Sequence, residues 1–196
     1  MKRLTIFICA ILLCSLTSQA QNRSPQTLFG NRGLQFSGIW GGTTTSITKF
    51  DQDYAVYSGG YGGLEFGRSL FVGWGGFKLV SDVDLSSLAN NRFDMRYNGL
   101  MLGYAFKSYK VIHPTFMVLA GKGKVNVNNE GEDKVFVIQP ALGVELNVLK
   151  WFRIGLEGGY RIVTDTDLKG ISDEDLSAPF GEVKFKFGIS WGRYRN

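Results

Sequence analysis

Few residues of this chain are of types that carry out chemistry, and their spacing argues against it. The only histidine, His113, stands beside Pro114. A hydrolase working through an activated hydroxyl needs a base next to its nucleophile. No serine can be set against His113 from sequence position, and a local hydrogen bond is the ordinary role of a lone histidine. In the C-terminal half, Glu145, Glu157 and Glu182 alternate with Arg153, Arg161, Lys184 and Lys186. That order does not yield the paired carboxylates of a glycosidase. Asp165-Thr-Asp-Leu-Lys-Gly170 begins like a calcium loop, but Lys169 occupies its fifth position and Leu176 stands where the bidentate glutamate belongs. Gly121-Lys-Gly-Lys124 lacks the spacing and the following hydroxyl of a phosphate loop, and Gly60-Tyr-Gly-Gly-Leu-Glu65 has Glu65 where a dinucleotide fingerprint needs glycine. The residues therefore predict no catalytic group, no metal site and no cofactor.

Both cysteines, Cys9 and Cys14, fall in an N-terminal segment with export character. Lys2 and Arg3 form a basic start, Leu4 to Leu16 is almost wholly apolar, and Ser18-Gln19-Ala20 matches a small-x-small cleavage site. The run is too short for a permanent membrane helix, so residues 1–20 are read as a cleaved signal peptide. Leu12 and Leu13 stand where a lipid-modified Cys14 would need small residues. Without the first 20 of its 196 residues the chain keeps 176, none of them cysteine, with 20 of its 22 basic residues against 17 acidic ones. A balance near +3 is not a nucleic-acid footprint, and no nucleic-acid partner is expected. Disulfides and thiolate metal sites are excluded from the mature chain.

The elements that position the remaining charges are strands. Phe136, Ile138, Leu142, Val144, Leu146 and Val148 alternate with small or polar residues, a two-residue period. The pattern resumes with Phe152, Ile154, Leu156, Tyr160 and Ile162, and is cleanest at the end, where Val183, Phe185, Phe187, Ile189 and Trp191 alternate with Glu182, Lys184, Lys186, Gly188 and Ser190. Eight such segments are predicted, over Leu34 to Phe50, Tyr54 to Gly67, Leu70 to Val83, Arg92 to Phe106, Val111 to Val127, Val135 to Val148, Phe152 to Val163 and Phe180 to Tyr194. Pro140 requires a bulge or local break, since it offers no N–H, and alternation is lost near Asn98-Gly99.

Periodicity alone does not say which face is buried. A soluble barrel turns its apolar face inward, whereas a membrane barrel turns it toward lipid. Strand length favours the second: membrane-spanning strands need about nine to eleven residues, and ordinary soluble ones have about five or six. The connections also alternate, short at Arg68-Ser69, Lys107 to Lys110 and Leu149 to Trp151, longer at Asp84 to Asn91, Asn128 to Lys134 and Thr164 to Pro179. Tyr104, Phe106, Phe66, Trp151 and Trp191 would form a periplasmic aromatic girdle, with Tyr54 and Phe180 near the outer one.

With its glycine-aromatic strands, such as the run from Gly143 through Trp151 and Phe152 to Tyr160, the mature chain resembles the small outer-membrane β-barrel proteins of Gram-negative bacteria, among them the OmpA/OmpX-like class and the PorT-like barrels. The resemblance implies an all-β, eight-stranded antiparallel up-and-down transmembrane barrel over residues 34–196, preceded by a lead segment at 21–33. It also implies residence in the outer membrane, insertion by the barrel-assembly machinery, and contact with membrane lipid and lipopolysaccharide.

On this reading Val183, Phe185, Phe187, Ile189 and Trp191 face lipid. The interior collects Glu65, Lys78, Glu145, Arg153, Glu157, Arg161, Glu182, Lys184 and Lys186, close to neutral and filling the lumen with charge pairs. The outer loops hold Glu130, Glu132, Asp133, Asp165, Asp167, Asp173, Glu174 and Asp175. The expected role is structural or surface-interacting and non-enzymatic, in a monomer with an unidentified extracellular partner. The alternatives are a narrow channel or transport-accessory barrel, and an exported soluble β-barrel holding an apolar ligand.

Overall fold

The computed structural model describes residues 35–50, 53–81, 93–127, 131–166 and 172–192. The expected signal peptide and lead segment lie outside these residues. The described chain forms eight strands and one short helix: β1 (Phe36–Phe50), β2 (Asp53–Phe66), β3 (Leu70–Leu79), β4 (Phe93–Ala105), β5 (Ile112–Val127), β6 (Gly131–Asn147), β7 (Phe152–Thr164), α1 (Asp173–Leu176) and β8 (Ala178–Ser190). Each strand pairs antiparallel with the next, and β1 pairs with β8 from Gly38↔Ser190 to Thr48↔Phe180, closing the barrel. Closure leaves no sheet edge, which is what a sheet needs in a medium that offers no hydrogen bonds.

At 10 to 17 residues, nearly all the strands exceed the length a bilayer requires, and the side chains explain the excess. In the half carrying the chain ends, the outer wall is apolar: Leu100, Leu102, Leu142, Val144, Leu156, Phe185, Phe187 and Ile189 are exposed there, Leu142 and Ile189 at 66% each. In the opposite half the polarity reverses. Tyr57, Phe77, Leu79, Met95, Tyr97, Val125, Val135, Val137 and Val163 pack inside as the apolar core, and Asp94, Arg96, Asn98 and Asn126 point outward into exposure. The lower half is thus suited to lipid outside and charge inside, and the upper half, on the β3 to β6 side, to water outside. The lower rim of the apolar wall carries clustered aromatic rings, Phe36 against Trp191 at 4.8 Å, Tyr104 against Phe106 at 4.8 Å and Phe152 against Phe187 at 5.0 Å.

This reversal accounts for the lost alternation at Asn98-Gly99. The register across it is continuous, Gly75↔Gly99 and Gly76↔Asn98 following in step. The strand is regular, and only the polarity of its two faces changes. At Pro140 the ladder to β5 is complete, while pairing with β7 stops after Ile138↔Ile162 and resumes in the same register at Ala141↔Gly159. The missing N–H produces a local gap without a bulge.

Several predicted boundaries are corrected. β6 starts at Gly131, so the stretch expected to be a loop over Asn128 to Lys134 is largely strand, with Glu132 opposite Asn126 and Asp133 opposite Val125. β3 ends at Leu79, and β8 ends at Ser190. The first lower turn is Gly67 to Ser69, one residue longer than Arg68-Ser69, with Phe66 paired to Leu70 across it and both Gly67 and Arg68 at φ of 57°, in the left-handed region. Phe180, expected on the outer girdle, is buried inside, because it shares inward parity with Glu182 and Lys184.

Candidate functional site

Inward parity on β2, β6, β7 and β8 brings Glu65, Glu145, Arg153, Glu157, Glu182, Lys184 and Lys186 into one buried network in the lower lumen. Glu145 is its hub, 3.0 Å from Arg153 Nη1 and 3.2 Å from Lys186 Nζ. Arg153 also reaches Glu65 at 3.5 Å and stacks its guanidinium 3.8 Å over the Trp40 ring. Lys184 joins Glu157 at 2.7 Å and Glu182 at 3.0 Å. The Ser190 hydroxyl donates to Glu65 at 2.6 Å and accepts from the Trp40 indole N–H at 2.9 Å. Such density of pairing is what lets ionised groups persist away from water, where a lone charge is strongly unfavourable.

Lys78 does not belong to this network. It lies on β3 between inward Phe77 and Leu79 and points outward into exposure. Gly73, Gly75 and Gly76 blur the alternation of β3, which is why parity there was misjudged from sequence. Its removal leaves four acids (Glu65, Glu145, Glu157, Glu182) against four bases (Arg153, Arg161, Lys184, Lys186) inside, a balanced interior.

Arg161 stands apart, higher in the lumen. It is fully buried, its Nε lies 3.4 Å from the Gln139 side-chain oxygen, and both terminal nitrogens lack a hydrogen-bond partner. The guanidinium rests 3.9 Å over Tyr57 and 5.1 Å from the Tyr97 ring, an aromatic cradle that offers partial compensation. Tyr97 in turn donates to Gln139 at 2.7 Å and stacks on Phe77 at 5.1 Å. Above this layer the apolar side chains close the lumen, with Leu176 of α1 buried at the top. The aromatic layer is the part of the site that sequence reasoning missed. The signal was present in the inward positions Ala55, Tyr57 and Tyr61 of β2. A small, partly open space beside Tyr61, Glu65, Glu145 and Lys186 amounts to about 20 Å³, room for roughly one water. A groove of about 590 Å³ opens instead on the outer wall, where Gly181 is bare between Thr45, Ile47, Leu156 and Val183.

His113 is fully buried at the foot of β5. Its Nδ1 lies 3.2 Å from the Lys110 carbonyl, and its Nε2 is 3.3 Å from Glu145 but outside hydrogen-bonding geometry. No hydroxyl nucleophile meets either nitrogen among these contacts. Among the described residues no group of three His, Cys, Asp or Glu could hold a metal ion.

The acidic residues divide. Glu130 and Asp167 lie outside the described residues. Glu132 sits on β6, not in a loop, and bridges Lys124 and Arg96. Asp173, Glu174 and Asp175 form α1, where Asp175 accepts the Ser172 N–H and hydroxyl, each at 2.8 Å. Asp165 precedes that helix with a φ of 68°. Thr166 donates its N–H to Asp173 at 3.0 Å, and the contact with Thr166 holds the Asp173 carboxyl below the usual aspartate range. Val183, Phe185, Phe187 and Ile189 are exposed on the outer wall, and Trp191, just past the end of β8, is exposed against Phe36.

No family model and no curated protein matches the chain. Solved structures do. Neisserial surface protein A is 11% identical with a TM-score of 0.57, covering 82% of this chain and 100% of its own. Ail, the attachment invasion locus protein of Yersinia pestis, is 17% identical with a TM-score of 0.48, covering 79% and 97%. The outer membrane protein OprG of Pseudomonas aeruginosa is 10% identical with a TM-score of 0.46, covering 80% and 97%. The first carries the likeness of fold. The chain thus has the fold of a closed, eight-stranded antiparallel β-barrel, with the outward apolar belt and charge-filled interior that suit such a barrel to a membrane.

Proposed function

We propose that this barrel is a non-conducting outer-membrane protein with a structural or surface-interaction role, exported by cleavage after residue 20 and working as a monomer from the collar that rises above its apolar belt. The observation that carries the reading is the sealed lumen. Paired charges fill its lower half, Arg161 and its tyrosines cross the middle, and apolar side chains fill the top. An ion would have to displace all three layers. A soluble barrel holding an apolar ligand accords poorly with an interior occupied by the barrel's own side chains and an apolar face turned outward. Lipid and lipopolysaccharide are the partners such a wall meets, and the assembly machinery would meet it during insertion.

Planar-bilayer recording of the refolded full chain is the test. No stable conductance steps are expected, and reproducible unitary steps would overturn the reading in favour of a narrow channel.

A further inference from the structure

The register of β3 to β6 places four basic residues side by side on the outer wall. Lys78 is opposite Arg96, Arg96 opposite Lys124, and Lys124 opposite Lys134. With strands about 4.8 Å apart, the row spans roughly 14 Å. Lys122, opposite Asn98, adds a fifth cation one outward position below. Like charges set directly opposite one another destabilise a sheet, so the row calls for anionic compensation. The protein supplies only part of it. Glu132 bridges Lys124 and Arg96, Asp133 accepts the backbone N–H of Lys134 at 2.7 Å, and among the described residues no carboxylate forms an ion pair with the ammonium group of Lys78, Lys122 or Lys134.

Two further features say what anion fits. The cations are confined to one wall. On the opposite wall, β7, β8, β1 and β2 present Ile162, Gly181, Thr45, Ile47 and Val56 above the middle of the barrel, with Lys49 near the rim. The row also begins where the apolar belt stops. Trp74, 58% exposed, lies four residues below Lys78 on β3, Leu100 four below Arg96 on β4, and Ile138 four below Lys134 on β6. Four residues of strand are about 13 Å before tilt, so the ammonium and guanidinium groups stand at the boundary between acyl chains and water.

We infer that the β3 to β6 wall is a binding surface for the phosphate groups of an outer-leaflet lipid, the acyl chains lying on the Trp74, Leu100 and Ile138 belt while Lys78, Arg96, Lys122, Lys124 and Lys134 meet the headgroup. Clustered basic side chains at a membrane surface attract anionic headgroups in this way. The inference rests on the membrane-embedded reading above and adds to it the partner, its chemistry and the face it takes.

The test uses the refolded full chain in detergent micelles, where a heat-dependent gel shift first establishes the folded barrel. Absence of that shift would sink the membrane reading itself. The barrel is then titrated with bisphosphorylated lipid A, with the same lipid dephosphorylated, with inorganic phosphate and with a sulfated polysaccharide. Saturable binding is expected for the phosphorylated lipid alone, and it should weaken with salt. The triple variant Lys78→Gln, Lys122→Gln, Lys134→Gln should bind it about tenfold to hundredfold more weakly, while Lys49→Gln on the other wall should bind as wild type. Equal binding of the phosphorylated and dephosphorylated lipids, or an undiminished triple variant, would overturn the lipid-phosphate site. Binding of the soluble polysaccharide as tight as that of the lipid would overturn the lipid assignment. If the triple variant fails to fold, the comparison of the two lipids on wild-type protein still decides the matter.

Discussion

The Arg161 guanidinium lies 3.9 Å above the ring of Tyr57, fully buried, with neither terminal nitrogen hydrogen-bonded. A few layers below, Arg153 is also buried over an aromatic ring, that of Trp40, yet it binds Glu145 and Glu65. Two arginines on one strand thus meet the same problem of a cation away from water, one through aromatic faces and one through carboxylates.

That difference predicts opposite responses to removal of charge. Arg153→Met leaves two buried carboxylates short of a partner and is expected to cost about 3–5 kcal/mol. Arg161→Met strands no carboxylate and keeps the volume, so it should be close to neutral or stabilising. Urea titration of the folded, faster-migrating gel species measures both, and equal losses would mean that Arg161 has a partner the contacts do not reveal.

A second contrast concerns two glycines of β8. A Cβ at Gly188 would clash with the Ile39 carbonyl oxygen of the paired strand and lie 2.6 Å from the Trp40 ring, whereas one at Gly181 would meet nothing within 4 Å. Gly188→Ala should therefore push Trp40 off Arg153 and cost about 1–3 kcal/mol. Gly181→Ala should fall within about 0.5 kcal/mol of wild type. Urea titration of the folded, faster-migrating gel species compares the two.

The apolar belt makes a prediction that depends on depth. Leu142→Arg sits in the exposed apolar band and should cost about 2–4 kcal/mol in a bilayer, whereas Asn126→Arg, on the collar, should cost about 0–1 kcal/mol. Comparable penalties at both sites, measured by refolding into vesicles, would remove the boundary placed between belt and collar.

The loop before β8 should respond to acid. The Asp173 carboxyl is held below the usual aspartate range by its contact with Thr166, whose N–H lies 3.0 Å away. A depressed pKa contributes order above the unfolded value, near about 3.9, and that contribution is lost as the pH falls through the lowered folded value. Hydrogen exchange at the Thr166 amide, corrected for its intrinsic pH dependence, should lose protection on acidification below about pH 4. Asp173→Asn should abolish that dependence, and an unchanged profile in the variant would remove Asp173 from the account.

The sequence by itself determined the strand count, the outward face of β8 through Val183, Phe185, Phe187 and Ile189, and the inward parity of the eight charges Glu65, Glu145, Arg153, Glu157, Arg161, Glu182, Lys184 and Lys186. These were legible because a strand exposes alternate residues to opposite faces, so a charged row opposite an apolar row defines the parity of the whole strand. Where that contrast is weak, only the tertiary structure could decide. Glycines on β3 hid the outward parity of Lys78, and the change from lipid to water along β4 exchanged the polarity of its faces at Asn98. The pairing of β1 with β8, and the row of Lys78, Arg96, Lys124 and Lys134 across β3 to β6, depend on register. Register is a relation between strands, and no single strand carries it.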